Sequence, residues 1–209
     1  MSLWVNSLLI DHALLRIAWR NWGVVESGRL YRSNHPLPWQ FAEAARRHGI
    51  RSVLNLRGHR TECGSDALGR DAARRLGLLH ADQPFESRGA PHRDRLLRLI
   101  ELYRTLPQPI LIHCKSGADR TGLAAGVWHL IRGRGAAVAM RELDLRYGHV
   151  AAARTGILDA FFAAYAQAEA RGTSFEDWLA NDYDEAELRT AFQPRPVASW
   201  FTDQVLRRE

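Results

Sequence analysis

Short apolar runs along this chain alternate with longer stretches in which apolar residues return every three or four positions. Arg29-Leu30-Tyr31-Arg32-Ser33, Ser52-Val53-Leu54-Asn55-Leu56, Leu78–His80 and Ile110–His113 are too short for helices and predict strands. Between them, Pro36 and Pro38 open a predicted helix that runs to about His48 and is capped by Gly49. A second spans Asp66 to Leu76 and stops at Gly77. A third follows Pro91, carries Leu96, Leu97, Leu99, Ile100 and Tyr103 at helical spacing, and ends before Pro107. Residues 118–132 have little polar face, which predicts a central buried helix, and Gly122 and Gly126 would let it pack closely. Later helices are predicted from about Ala136 to Arg146 and from about Thr155 to Ala170. Strand and helix in alternation predict a single α/β domain. It would have a central, mostly parallel sheet of about four to five strands, with helices on both faces.

The two ends differ from this body. Leu3 to Trp22 is apolar but carries Asn6, Asp11, His12, Arg16 and Arg20, too many polar groups for a membrane span. It has neither a basic leader nor a cleavage site. Residues 1–22 are therefore expected to form a helix packed on the core of a 23–172 domain. A second option lays that helix on a membrane surface through Trp4, Trp19 and Trp22. Residues 173–209, with Trp178, Tyr183, Phe192, Trp200 and Phe201, are too aromatic for free disorder and are expected to dock on the body.

Charge sharpens the picture. The net charge is +6, but residues 173–209 carry −4 and residues 1–172 carry +10. A basic body suits a phosphorylated or anionic-lipid substrate. Without an interleaved basic–aromatic stripe, nucleic acid is not expected. All but one of the 29 basic residues are Arg, and the exception is Lys115. The two cysteines, Cys63 and Cys114, make no disulfide framework, and the nine histidines show no metal-ligand spacing. No metal and no cofactor are expected.

The densest chemistry lies at His113-Cys114-Lys115-Ser116-Gly117-Ala118-Asp119-Arg120-Thr121-Gly122, between the predicted strand and the buried helix. In a strand–loop–helix turn, loop amides and the first helical turn converge on one point and bind an oxyanion. Lys115, Ser116, Gly117, Ala118, Asp119 and Thr121 would form this binding loop. The same field favours a thiolate at Cys114, the form that attacks. Arg120 could hold two phosphoryl oxygens with its planar fork, and Thr121 could donate to the sulfur as it leaves. The chemistry is a phosphocysteine intermediate, formed and then hydrolysed.

This loop resembles the signature of the cysteine-based tyrosine and dual-specificity phosphatases: His-Cys, five residues, Arg, then Ser or Thr. It is most similar to bacterial dual-specificity-like enzymes and to tensin-type lipid phosphatases, which also place Lys after the Cys. The resemblance spans roughly Gly28 to Gly172 and implies a phosphatase. Its substrate would be a phospholipid headgroup, an inositol phosphate, or a phosphotyrosine-type phosphoprotein. A proton donor is needed for the leaving oxygen. The resemblance favours Asp82, 32 residues before Cys114. Asp119 is the rival, as in myotubularin-like enzymes, and Glu86 comes third. Arg57 would line the pocket rim, and Cys63 could trap an oxidised Cys114. A thiolate enzyme needs a reducing compartment, so the cytoplasm is expected, with the inner membrane surface as a peripheral site. Two alternatives remain open: a catalytically silent phosphate-binding module, and a rhodanese-like sulfurtransferase, against which Arg120-Thr121-Gly122 and Asp82 speak.

Overall fold

A computed structural model describes residues 3–7 and 19–193. The described residues fall into two compact units, those up to Pro84 with Arg104–Gly117, and Phe85–Tyr103 with those from Ala118 onward.

The first unit holds the whole sheet. Its strands are β1 (Gly23–Glu26), β2 (Leu30–Ser33), β3 (Ser52–Asn55), β4 (Leu79–Asp82) and β5 (Ile110–His113). They lie in the order β1-β2-β5-β3-β4. β2, β5, β3 and β4 are mutually parallel, and β1 pairs antiparallel with β2. The α/β class with a mostly parallel sheet is thus as expected, and the strand count is five. β1 was not anticipated: Gly23-Val24-Val25-Glu26 is a short edge strand set by a tight return at Gly28, whose φ is +72°. β5 occupies the centre, so all four of its residues are buried. Such a strand carries no polar alternation, which is why it reads as a plain apolar run.

Helices α1 (Pro38–His48) and α2 (Gly64–Arg75) belong to the same unit. Phe41 of α1 packs with Tyr31, Ala44, Ile50, Val53, Ala72 and Leu111 in one core cluster. Gln40 Oε1 accepts from the Leu37 amide at 2.9 Å, and Gly49 closes α1 in the left-handed region. β4 extends two residues past the expected His80, to Asp82, because Asn55 of β3 pairs with it in register. Of the helix expected at 1–22, residues 1–2 and 8–18 lie outside the described residues, and residues 19–22 are described but not helical. Its described turn, Leu3–Val5, places Trp4 in a stack with Trp39, ring centroids 6.1 Å apart.

The second unit is helical in its described residues. It contains most of α3 (Arg93–Thr105), then α4 (Asp119–Ile131), α5 (Ala136–Met140), α6 (Ile157–Ala170), α7 (Phe175–Asn181) and α8 (Glu185–Ala191). Every α4 residue from Asp119 to Leu130 is buried, as the absence of a polar face foretold. The helix expected over 136–146 stops at Met140. Asp144 instead accepts from the Arg146 amide at 2.7 Å and starts a 3-10 turn at Leu145–Tyr147, an example of a side chain competing with the helical ladder. Phe175 and Trp178 of α7 and Tyr183 ring Phe161 of α6, with centroids 5.2 to 6.3 Å away. Trp200 and Phe201 lie outside the described residues. No helix among the described residues is long and apolar enough to cross a membrane.

Gly126 of α4 lies against Phe162 of α6: a Cβ there would stand 2.3 Å from Phe162 Cζ, on a ring with no exposure. Gly126→Ala gains up to ~1 kcal/mol of helix propensity but overpacks a closed core at a cost of about 1–3 kcal/mol. A lowered urea midpoint is expected, and an unchanged or raised midpoint would show that the ring yields.

Candidate active site

The loop after β5 owes its shape to what its carbonyls do. Three successive carbonyls in the first unit accept from neighbours. Lys115 O takes the His35 amide at 3.2 Å, Ser116 O takes Asn21 Nδ2 at 2.8 Å, and Gly117 O takes Arg32 Nη2 at 2.7 Å. In a trans peptide the N–H of the next residue points opposite to the carbonyl. The amides of Ser116, Gly117 and Ala118 therefore face away from these partners. The Gly117 amide indeed donates to Cys114 Sγ at 3.2 Å. The turn needs glycine at 117: its φ is +79°, and a Cβ would meet Asn34 N at 2.7 Å and Ser33 C at 2.8 Å.

Cys114 is 1% exposed at the end of the central strand. Arg32, wholly buried under the loop, adds a fixed positive charge. Lys115 and Ser116 are half-buried, and Ala118 is buried. None of Asn21, Arg32 and His35 stands out in the sequence as a site residue. A signal for Arg32 existed: an arginine inside a strand buried on both faces needs a partner, and in this fold the partner is the loop.

On the helix side, in the second unit, Arg120 stands in the first turn of α4, 8% exposed. It lines a cavity of about 320 Å³ with Phe85, Glu86, Ser87, Arg88 and Gly89. Its guanidinium has no hydrogen-bond or ion-pair partner among the described residues. A buried cation without a partner is costly, and an anion in this cavity would relieve the cost. Thr121 is fully buried, and its hydroxyl has no hydrogen-bond partner among the described residues.

The three candidate acids have three different surroundings. Asp82, the first choice, is bound on both oxygens by Arg70 Nη2 at 2.8 Å, and Asn55 Nδ2 adds a third contact at 3.0 Å. Arg70 also reaches Asp66, so Asp82 sits in a bracing network between α2, β3 and β4. Asp119, the rival, is 4% exposed and accepts from His149 Nδ1 at 2.8 Å, while Asp159 accepts from His149 Nε2 at 2.7 Å. Glu86, ranked last, is the one in the Arg120 cavity, with its side chain 57% exposed. Its nearest basic side chains stand well back, His92 Nε2 at 3.5 Å and Arg95 Nη1 at 3.8 Å.

Arg57, expected at a rim, is buried, with Nη1 3.4 Å from His35 Nδ1 and 3.7 Å from Cys63 Sγ. Cys63 and Cys114 are both free thiols. Among the described residues, one cluster of metal-type side chains occurs, at His92, Asp94 and Glu185. There Glu185 already accepts from His92 Nδ1 at 2.7 Å and the Arg93 amide at 2.6 Å, which ties α8 to α3.

Residues 29–134, half of the chain, match the family Tc-R-P, described as the DSP-PTPase phosphatase of polymorphic toxin systems. The chain belongs to this family. It is a cysteine-dependent phosphatase of the tyrosine/dual-specificity superfamily. No curated protein matches it. Solved structures share the fold. The catalytic domain of the PP-IP phosphatase SIW14 from S. cerevisiae is 21% identical with a TM-score of 0.56, the match covering 68% of this chain and 85% of that one. TpbA from P. aeruginosa is 21% identical with a TM-score of 0.53, over 82% and 90%. PTPMT1 is 15% identical with a TM-score of 0.53, over 73% and 99%.

The His149 contacts in this phosphatase carry a pH dependence. Burial pushes its pKa down, but the bonds to Asp119 and Asp159 outweigh burial and push it up to about 9. A raised pKa stabilises the fold below the unfolded value of about 6.5, and that stability is lost as pH rises through 9. Stability of the parent should fall by about 3 kcal/mol across this window, read as a declining urea midpoint. In His149→Gln the midpoint should be lower at pH 6.5 and should lack this decline. A parent midpoint that is flat from pH 6.5 to 9 would contradict the imidazolium.

Proposed function

We propose that this phosphatase hydrolyses a phosphomonoester through a phosphocysteine intermediate, with Cys114 as nucleophile, Arg120 as phosphoryl clamp and Glu86 as proton donor. The observation that carries the reading is the unpartnered Arg120 guanidinium lining a cavity, in a chain segment that directly follows a loop whose carbonyls are turned outward. The loop amides and Arg120 would share the charge that grows on the equatorial oxygens. Sγ forms a bond to phosphorus as the P–O bond to the leaving group breaks, and Glu86 gives that oxygen its proton. A water then attacks phosphorus, giving its proton back to Glu86, and the S–P bond breaks to restore the thiolate. Glu86 replaces Asp82 in this role because both Asp82 oxygens are engaged by Arg70, whereas Glu86 stands exposed in the Arg120 cavity.

For the substrate, the cations favour a small molecule with more than one phosphate. Arg88 lines the same cavity as Arg120, and Lys115 follows the nucleophile. An inositol phosphate or phosphoinositide headgroup fits this chemistry, and SIW14, a PP-IP phosphatase, shares the fold. A phosphotyrosine-type substrate is the second reading, favoured by Phe85 in the cavity wall.

Cys114→Ser should abolish release of phosphate from an aryl phosphate while leaving binding intact. Substantial residual turnover would contradict the covalent mechanism. Glu86→Gln should slow poor leaving groups by roughly 10²-fold or more and leave activated aryl phosphates nearly unaffected. If Asp82→Asn shows that pattern and Glu86→Gln does not, the donor is Asp82. Turnover on soluble inositol phosphates, phosphoinositides and phosphotyrosine peptides decides the substrate class, and the highest kcat/KM on a phosphopeptide would reverse the preference for a polyphosphorylated small molecule.

A further inference from the structure

His149 belongs to no sequence motif, yet it is among the most enclosed of the charged groups in the second unit. Its side chain is 1% exposed. Both ring nitrogens face carboxylates, at 2.8 Å to Asp119 and 2.7 Å to Asp159, so both carry hydrogens and the ring is an imidazolium. Asp119 comes from the first turn of α4 and Asp159 from the first turn of α6. The nearby Asp144 meets His149 only through its carbonyl, at 3.2 Å to the His149 amide, and its carboxylate is spent on the Arg146 amide. One cation therefore serves two acids from two helices, and one of those acids immediately precedes Arg120.

That adjacency sets a problem for any phosphate site at Arg120. A carboxylate one residue away competes with phosphate for the guanidinium and repels an incoming anion. We propose that His149 is a positioning residue for the phosphatase: it holds Asp119 turned away from Arg120, offsets part of its charge, and fixes the first turn of α4 so that Arg120 stays available to the phosphoryl group. This rests on the assignment of Arg120 as the phosphoryl clamp. Asp159 completes the device by orienting the ring from its far side, as an outer carboxylate fixes a working histidine elsewhere. Gly122, whose Cβ would lie 2.7 Å from Glu142 O, lets the same turn of α4 seat tightly against residues 142–143.

Four readouts separate this orienting role from bulk packing. In His149→Gln, binding of inorganic phosphate measured by calorimetry should weaken about 10-fold or more at pH 7, with kcat/KM on an aryl phosphate falling by a similar factor. Adding Asp119→Asn to His149→Gln removes the unmasked carboxylate and should recover most of the phosphate affinity. A purely structural histidine would predict further loss instead. Asp159→Asn, which keeps an acceptor for Nε2, should fold and lose only about 2- to 5-fold. The parent's kcat/KM should also decline as pH rises through about 9, a limb missing from His149→Gln. Phosphate affinity unchanged in His149→Gln, or no recovery in the double variant, overturns the proposal. Because phosphate binding requires no turnover, a parent that binds phosphate but does not hydrolyse esters refutes the catalytic reading and leaves this one standing.

Discussion

The outward engagement of three successive carbonyls is the constraint on which this protein depends. Peptide groups cannot leave both ends unsatisfied in a buried place, so fixing the oxygens of Lys115, Ser116 and Gly117 decides where the following amides point. The loop is thus shaped from behind. Asn21, Arg32 and His35 supply the donors, and all three sit on or beside β1 and β2 rather than in the loop itself. Burying the Arg32 guanidinium is expensive. The result is a permanent positive charge under the loop that follows β5.

The placement of carboxylates follows the same logic. An anion site tolerates acids nearby only if each is neutralised by a dedicated cation or placed where it can exchange a proton. Arg70 takes Asp82, His149 takes Asp119, and Glu86 lies in the cavity wall with Arg95 no nearer than 3.8 Å. Proximity in sequence to the nucleophile or to Arg120 therefore says little about which acid can act. The partner that each acid already has says more.

Each unit of this phosphatase contributes a different kind of support. The sheet supplies rigidity through β5, paired on both sides in a parallel ladder and closed to water. The helical unit manages charge, through paired groups that hold the start of α4, and is anchored by the aromatic ring around Phe161. Family membership agrees with this arrangement, while the solved structures, all at or below 21% identity, speak only to the fold.

Much of this was written in local patterns. The apolar run of β5, the helical spacing around Leu96 and Tyr103, and the Cys-to-Arg spacing of the loop are decided over about ten residues or fewer, so the strand–loop–helix unit and the phosphatase family could be read directly. Locality also explains the failures. β1 has too few residues to show a period, and the helix after Ala136 ends at Met140, followed by a separate 3-10 turn that Asp144 caps. The pairings of Arg32 with Gly117, Arg70 with Asp82 and His149 with Asp119 join residues 85, 12 and 30 positions apart. No one-dimensional pattern encodes such contacts, because charge partners are chosen by the three-dimensional course of the chain. Residue order decided which reactive groups this protein carries, and tertiary contact decided which partner each acid and cation meets.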